Sequence, residues 1–188
     1  TTMLAQSVAS ESDLGRTLVL TYTTTNQLED SARIASCTRD FVPKVMGWFT
    51  FLLNEIVRPY LPLLYPEIKL SGLAFKEPQS FKYLSGSRRY FSKEGKAYPS
   101  FLGKLSTDLI AKSKGRAIGR LEDLYDSIYI DEAQDLRGND LVVLEHLFQS
   151  KMRVSVVLDP RQSTIATTNA DQKYKKRYSY YRIIELYK

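Results

Sequence analysis

Three short runs rich in β-branched residues, GRTLVLTY (15–22), SIYI (127–130) and RVSVVLD (153–159), stand between segments of helical spacing. The first two do not alternate polar with apolar residues, which is the signature of strands buried on both faces, and the third is likewise expected as a buried strand. Strands that alternate with helices favour a parallel sheet covered on both sides, so the expected fold class is α/β, a parallel sheet flanked by helices. The intervening helices are expected at 23–35, where Leu28, Ala32 and Ala35 recur at helical spacing, at 101–111, at 118–124 and at 137–150, where Asn139 or Asp140 is expected to cap. The segment KVMGWFTFLLNEIVRPYLPLLYP (44–66) reads as one strongly apolar helix, broken by Pro59, Pro62 and Pro66. Residues 67–100, punctuated by Gly, Ser, Pro and Lys, read as a short irregular or separately packed insertion.

The run SIYI ends in DEAQD, which places Asp131, Glu132 and Asp135 within five residues. Unpaired carboxylates are costly in an apolar setting, so such a cluster belongs at a strand's carboxyl end, where a parallel sheet gathers its ligands. An aspartate at a strand tip suits Mg²⁺, which prefers one or two carboxylates plus water and phosphate oxygens. The glutamate beside it suits a water-activating base in phosphoryl transfer. With a single cysteine, Cys37, and a single histidine, His146, the 188 residues cannot assemble an internal disulfide or the usual zinc site, so any metal is expected to be held by oxygen.

The net charge of +6 is unevenly spread. Residues 1–75 are nearly neutral, 76–120 and 172–188 are basic, and 121–171 are acidic. That segregation suggests one surface for a polyanion and another for a metal. Within the basic block, KYLSGSRRYFSKEGKAYPSF (82–101) interleaves Arg88 and Arg89 with tyrosine and phenylalanine, a composition suited to phosphates and bases together. No apolar run approaches the roughly 20 residues of a membrane span, and a cytoplasmic protein without a membrane partner is expected.

Four stretches in order are similar to motifs of the UvrD-like branch of superfamily I helicases. IYIDEAQDL resembles motif II, an apolar strand followed by D-E-x-Q-D; LVLTYTTTNQLEDSARI resembles motif Ia; MGWFTFLLNEIVRPYL lies where the family has its motif Ib helix; and VVLDPRQSTIATT resembles motif III. The resemblance implies a P-loop NTPase of RecA-like fold, formed by residues 1–66 and 101–188, with 67–100 as a reduced accessory subdomain. It implies ATP and Mg²⁺ as cofactors, single-stranded DNA or RNA as partner, Asp131 as Mg²⁺ ligand, Glu132 as catalytic base and Gln162 as the residue that senses the γ-phosphate. Thr21, Tyr22 and Thr23 match the family's Thr-Phe-Thr, and with Trp48 they become candidate nucleic-acid contacts, while Phe49 is expected in the core. TTMLAQSVA resembles the helix that follows the phosphate-binding Gly-Lys, which places Thr1 at the hydroxyl position that helps bind Mg²⁺, with Thr2 beside it toward the nucleotide. On this reading the chain is a fragment of the first motor domain, expected to be inactive alone. Leu158, where the family has glycine, and Thr24, where many members have asparagine, depart from the pattern.

Two other readings are compatible with the residues. One is a nucleic-acid-binding ATPase that uses nucleotide as a switch, partnered with a nuclease in repair or phage defence. The other is a nonenzymatic basic binding domain whose acids are ordinary surface turns.

Overall fold

The computed structural model describes residues 7–8, 14–22, 31–32, 34–36, 43–76 and 84–157. Its centre is a parallel four-stranded sheet built from β1 (Thr17–Thr21), β2 (Lys44–Gly47), β5 (Ser127–Ile130) and β6 (Arg153–Val156), in the order β2-β1-β5-β6. The register pairs Leu20 with Met46 on one side and with Ile130 on the other, and Ile130 with Val156. Both inner strands are buried along their whole length, as expected of strands covered on both faces. β6 departs from the expectation of a buried strand: it lies at the end of the described sheet and alternates between exposed and half-buried positions.

The larger departure is β2. Lys44–Gly47 is strand, and the helix begins only at Trp48. Helix α1 then runs through residues 48–60 as an α-helical turn (Trp48–Phe51), a π-helical stretch (Leu52–Val57) and a further α-helical turn (Arg58–Tyr60). Its α-helical run stops at Tyr60, one residue past Pro59, and a 3₁₀ turn (Leu61–Leu63) follows. A proline inside a helix has no N–H for the carbonyl four residues back and crowds it; here that carbonyl belongs to Glu55, and Arg120 Nη1 donates to it at 3.2 Å.

The 67–98 segment forms a small parallel pair, β3 (Gly72–Leu73) with β4 (Lys96–Ala97), and a 3₁₀ turn at Gly86–Arg89. It is joined to the main core, into which it sends Phe91 and Ala97. Helices α2 (Pro99–Lys112), α3 (Arg116–Leu124) and α4 (Asn139–Phe148) complete the described architecture. The residue before α4 is Gly138, at φ 53°, and no side chain caps the helix, so neither Asn139 nor Asp140 takes the expected role. A Cβ on Gly103 of α2 would stand 2.5 Å from Asp140 Oδ1 and 3.0 Å from its backbone nitrogen, which is why glycine occupies this crossing.

The two faces of the sheet are packed separately. Leu18, Leu20, Ile128 and Ile130 face α1, α2 and α4, whereas Val19 and Tyr129 meet Val8 and Ile34 on the other side. Among the described residues no helix is long and apolar enough to cross a membrane.

Candidate functional site

The carboxyl ends of β1 and β5 lie side by side, and the acids begin there. Asp131 N–H donates to the Leu20 carbonyl at 2.8 Å, extending the ladder one residue past β5. Strand alternation puts Asp131 on the Tyr129 side of the sheet, next to Thr21 of β1. Ser7, whose carbonyl accepts from Tyr129 Oη at 3.5 Å, and Val8 lie on that same side. Asp131 is only 2% exposed, and among the described residues its Oδ2 has no hydrogen-bond donor. A buried carboxylate oxygen without a donor is costly, and a cation is what such an oxygen is suited to hold.

Glu132 follows with φ 53° and ψ 38°, left-handed backbone that costs a side-chain-bearing residue about 1–2 kcal/mol. The twist starts the 3₁₀ turn Ala133–Asp135, closed by Asp135 N–H to the Glu132 carbonyl at 3.0 Å. Ala133 N–H donates to the Val157 carbonyl at 3.2 Å, which ties the acidic turn to the end of β6. Glu132 is half-buried, and Gln134 Nε2 donates to its Oε2, so the glutamine restrains the carboxylate from within the same turn. Among the described residues no group of three or more His, Cys, Asp or Glu side chains could hold a metal by itself, so a cation here would draw on Asp131 together with ligand and water oxygens.

The candidate nucleic-acid contacts separate on burial. Thr21 is buried with the rest of β1, and Trp48 is 1% exposed, packed on Phe51 with ring centroids 5.6 Å apart. Both side chains, expected as nucleic-acid contacts, are thus buried here. The cause is β2: because the strand runs to Gly47, Trp48 opens the helix and turns into the core. The partly exposed rings at this edge are Tyr22 and Phe49, 5.5 Å apart and tilted by 57°. Phe49, expected as core, is half-buried and packed against the main core. Arg88 and Arg89 are exposed on the Gly86–Arg89 turn, and the Arg89 guanidinium lies 5.2 Å from the centre of the Phe101 ring. Thr1, Thr2, Thr23 and Gln162 lie outside the described residues, as do Leu158 and Thr24.

A second polar cluster occupies the opposite, amino edge of the sheet. Glu55 from the π-helical stretch is 5% exposed and receives Lys44 Nζ at 3.0 Å, Arg120 Nη1 at 3.1 Å and Tyr125 Oη at 3.4 Å. Burial works against its charge, but the hydrogen bonds and charges of Lys44 and Arg120 outweigh this and hold the carboxyl below the ordinary carboxylate range. Burial likewise opposes the charge on Lys44, and the hydrogen bonds to Glu55 and Tyr125 overcome it, raising the amine. Tyr125 is raised, first by burial and then by the nearby Glu55 charge, against the lowering effect of Lys44. The cluster fastens α1 and α3 to the sheet and lies away from the acidic turn.

No protein-family model matches the chain, and no curated protein matches it.

Proposed function

We propose that the chain forms the ATPase core of a UvrD-like superfamily I helicase or translocase, a RecA-like motor domain that uses ATP and Mg²⁺ and moves on single-stranded DNA. The observation that carries this reading is Asp131 Oδ2, buried and without a donor among the described residues, at the carboxyl edge of a parallel sheet with Glu132 beside it. The arrangement of strands supports it. β1, β5 and β6, which bear the stretches resembling motifs Ia, II and III, are consecutive neighbours, so their carboxyl ends form one crevice.

In that crevice Asp131 would hold Mg²⁺, directly or through water. Bound there, the ion would neutralise charge on the phosphates of ATP. Glu132, set by its left-handed backbone and restrained by Gln134, would orient a water and take its proton as the water oxygen bonds to the γ-phosphorus and the bond to the β-phosphate oxygen breaks. The products are ADP and inorganic phosphate. Tyr22 and Phe49, at the same edge, would offer rings to the bases of a single strand, and Gln162 would report nucleotide state to that strand, as the motif III resemblance implies.

The deciding experiment is ATP hydrolysis by the full-length protein with and without single-stranded DNA, wild type against Glu132→Gln. DNA-stimulated turnover that falls by about 10²–10⁴-fold in the variant is expected for loss of a positioned base. Absence of turnover, or a variant as active as wild type, would remove the motor reading in favour of a nonenzymatic binding domain.

A further inference from the structure

Helix α3 contains a glycine that the fold does not require. Gly103 of α2 is held to glycine by the approach of Asp140, and several others take positive φ, but Gly119 has neither reason: its φ is not positive, and a Cβ there would meet nothing within 4 Å. Glycine inside a helix is less favourable than alanine, so the space it leaves is kept against helix stability. Gly119 lines a cleft of about 380 Å³ where α2, α3 and α4 meet, within the size range of small-molecule sites. Ile110 and Ile118 make its lining apolar, and Glu122, His146 and Gln149 add polar groups to it. Glu122 is half-buried; its Oε1 accepts from the Lys151 N–H at 2.9 Å, and its Oε2 has no donor among the described residues. The half-buried imidazole of His146 is likewise without a hydrogen-bond partner among them. Among the described residues no lysine or arginine lines the cleft, whereas the carboxyl ends of two helices do: Ile110 belongs to the last turn of α2, and Gln149 is the C-cap of α4. Such ends carry partial negative charge. Because α3 and α4 lead into β5 and β6, the cleft lies at the amino edge of the sheet, away from the acidic turn.

We propose that this cleft binds a small aliphatic amine, with its ammonium group on Glu122 Oε2 and its methylene chain against Ile110 and Ile118, in the space left by Gly119. An ammonium has three N–H donors and no acceptor, which suits a carboxylate oxygen, the acceptor nitrogen of a neutral imidazole and two helix carboxyl ends. An alcohol of the same length would bury the same carbon without the charge, and a carboxylate would bring a charge that Glu122 repels. The inference does not rest on the proposed motor reading. No residue of the acidic turn takes part, and binding needs neither nucleotide nor nucleic acid, so its failure is separable from failure of the ATPase.

The test is calorimetric titration of the full-length protein, without nucleotide, with hexylamine, hexanol and hexanoate. Hexylamine is expected to bind, and the other two to bind at least about tenfold more weakly, the effect of losing a hydrogen bond to a charged group. Glu122→Gln keeps an acceptor for the Lys151 N–H and removes the charge. It is expected to weaken hexylamine by about tenfold to a hundredfold and to leave hexanol unchanged. Gly119→Leu fills the cleft and is expected to abolish hexylamine binding while the melting temperature stays at or above that of wild type, because a glycine is removed from a helix interior. Should Gly119→Leu fail to fold, Glu122→Gln decides alone. Hexylamine that does not bind at millimolar concentration, that binds no better than hexanol, or that binds Glu122→Gln or a folded Gly119→Leu as tightly as wild type would overturn the proposal. Tighter binding of Nα-acetyllysine methylamide than of hexylamine would also overturn it, assigning the cleft to a lysine side chain of a partner protein.

Discussion

Glu55 shows how much one buried carboxylate can hold in place. Its partners come from β2, from α3 and from the turn before β5, separated from it by 11, 65 and 70 residues. Breaking a buried ion pair by removing one member costs about 3–5 kcal/mol, but the side chains of Lys44 and Arg120 are 52% and 37% exposed, and water screens them. Glu55→Gln is therefore expected to destabilise by about 1–3 kcal/mol in urea unfolding at neutral pH. The pH dependence follows from the sign of the shift. The folded carboxyl is held below its ordinary value of 4.5, so its contribution is complete above that value and is lost as pH falls through the folded value. The stability gap between wild type and Glu55→Gln should accordingly close as pH drops below about 4.5 and stay constant from there to neutrality; a gap that widens in acid would contradict this account.

A residue in another helix supplies a donor where Pro59 of helix α1 cannot. Arg120 on α3 serves two groups of Glu55 at once, the backbone carbonyl four residues before Pro59 and the carboxylate oxygen Oε2. Arg120→Met should leave both without that donor and cost about 1–3 kcal/mol, read as a lower urea midpoint at unchanged slope. The element-level account is tested by adding Pro59→Ala, which restores an N–H to the helix. If Arg120 compensates for the proline, the loss caused by Arg120→Met is smaller in the Pro59→Ala background. Equal losses in the two backgrounds would assign the effect to the ion pair alone. The sequence marked Pro59, Pro62 and Pro66 as the end of this helix, and its α-helical run does stop at Tyr60; what local pattern does not show is the donor to Glu55, 61 residues beyond Pro59.

At the scale of the molecule, the sheet collects the acids at one edge and a structural ion-pair cluster at the other. Stability and the proposed function should then oppose each other at Asp131. Its buried Oδ2 has no donor among the described residues, and burying such an oxygen is costly, so Asp131→Asn is expected to raise unfolding stability by about 0.5–2 kcal/mol without added Mg²⁺. The same substitution should abolish Mg²⁺-dependent ATP hydrolysis in the full-length protein. A variant both less stable and still active would mean that Asp131 is an ordinary structural carboxylate.

What the sequence determined by itself is the central pair of strands and the place of the acids. Thr17–Thr21 and Ser127–Ile130 are legible because burial on both faces favours apolar runs without alternation, and DEAQD begins where the second run ends, at the carboxyl edge of the sheet. The edges were decided by tertiary structure. Lys44–Gly47 belongs to an apolar run continuous with α1, and only pairing with β1 makes it a strand. With that pairing Trp48 is buried while Phe49 stays half-buried beside Tyr22, a distinction that helical periodicity cannot show. The Glu55 cluster is likewise invisible in sequence, because local pattern records a residue's near neighbours and these partners meet only when the sheet and its helices close.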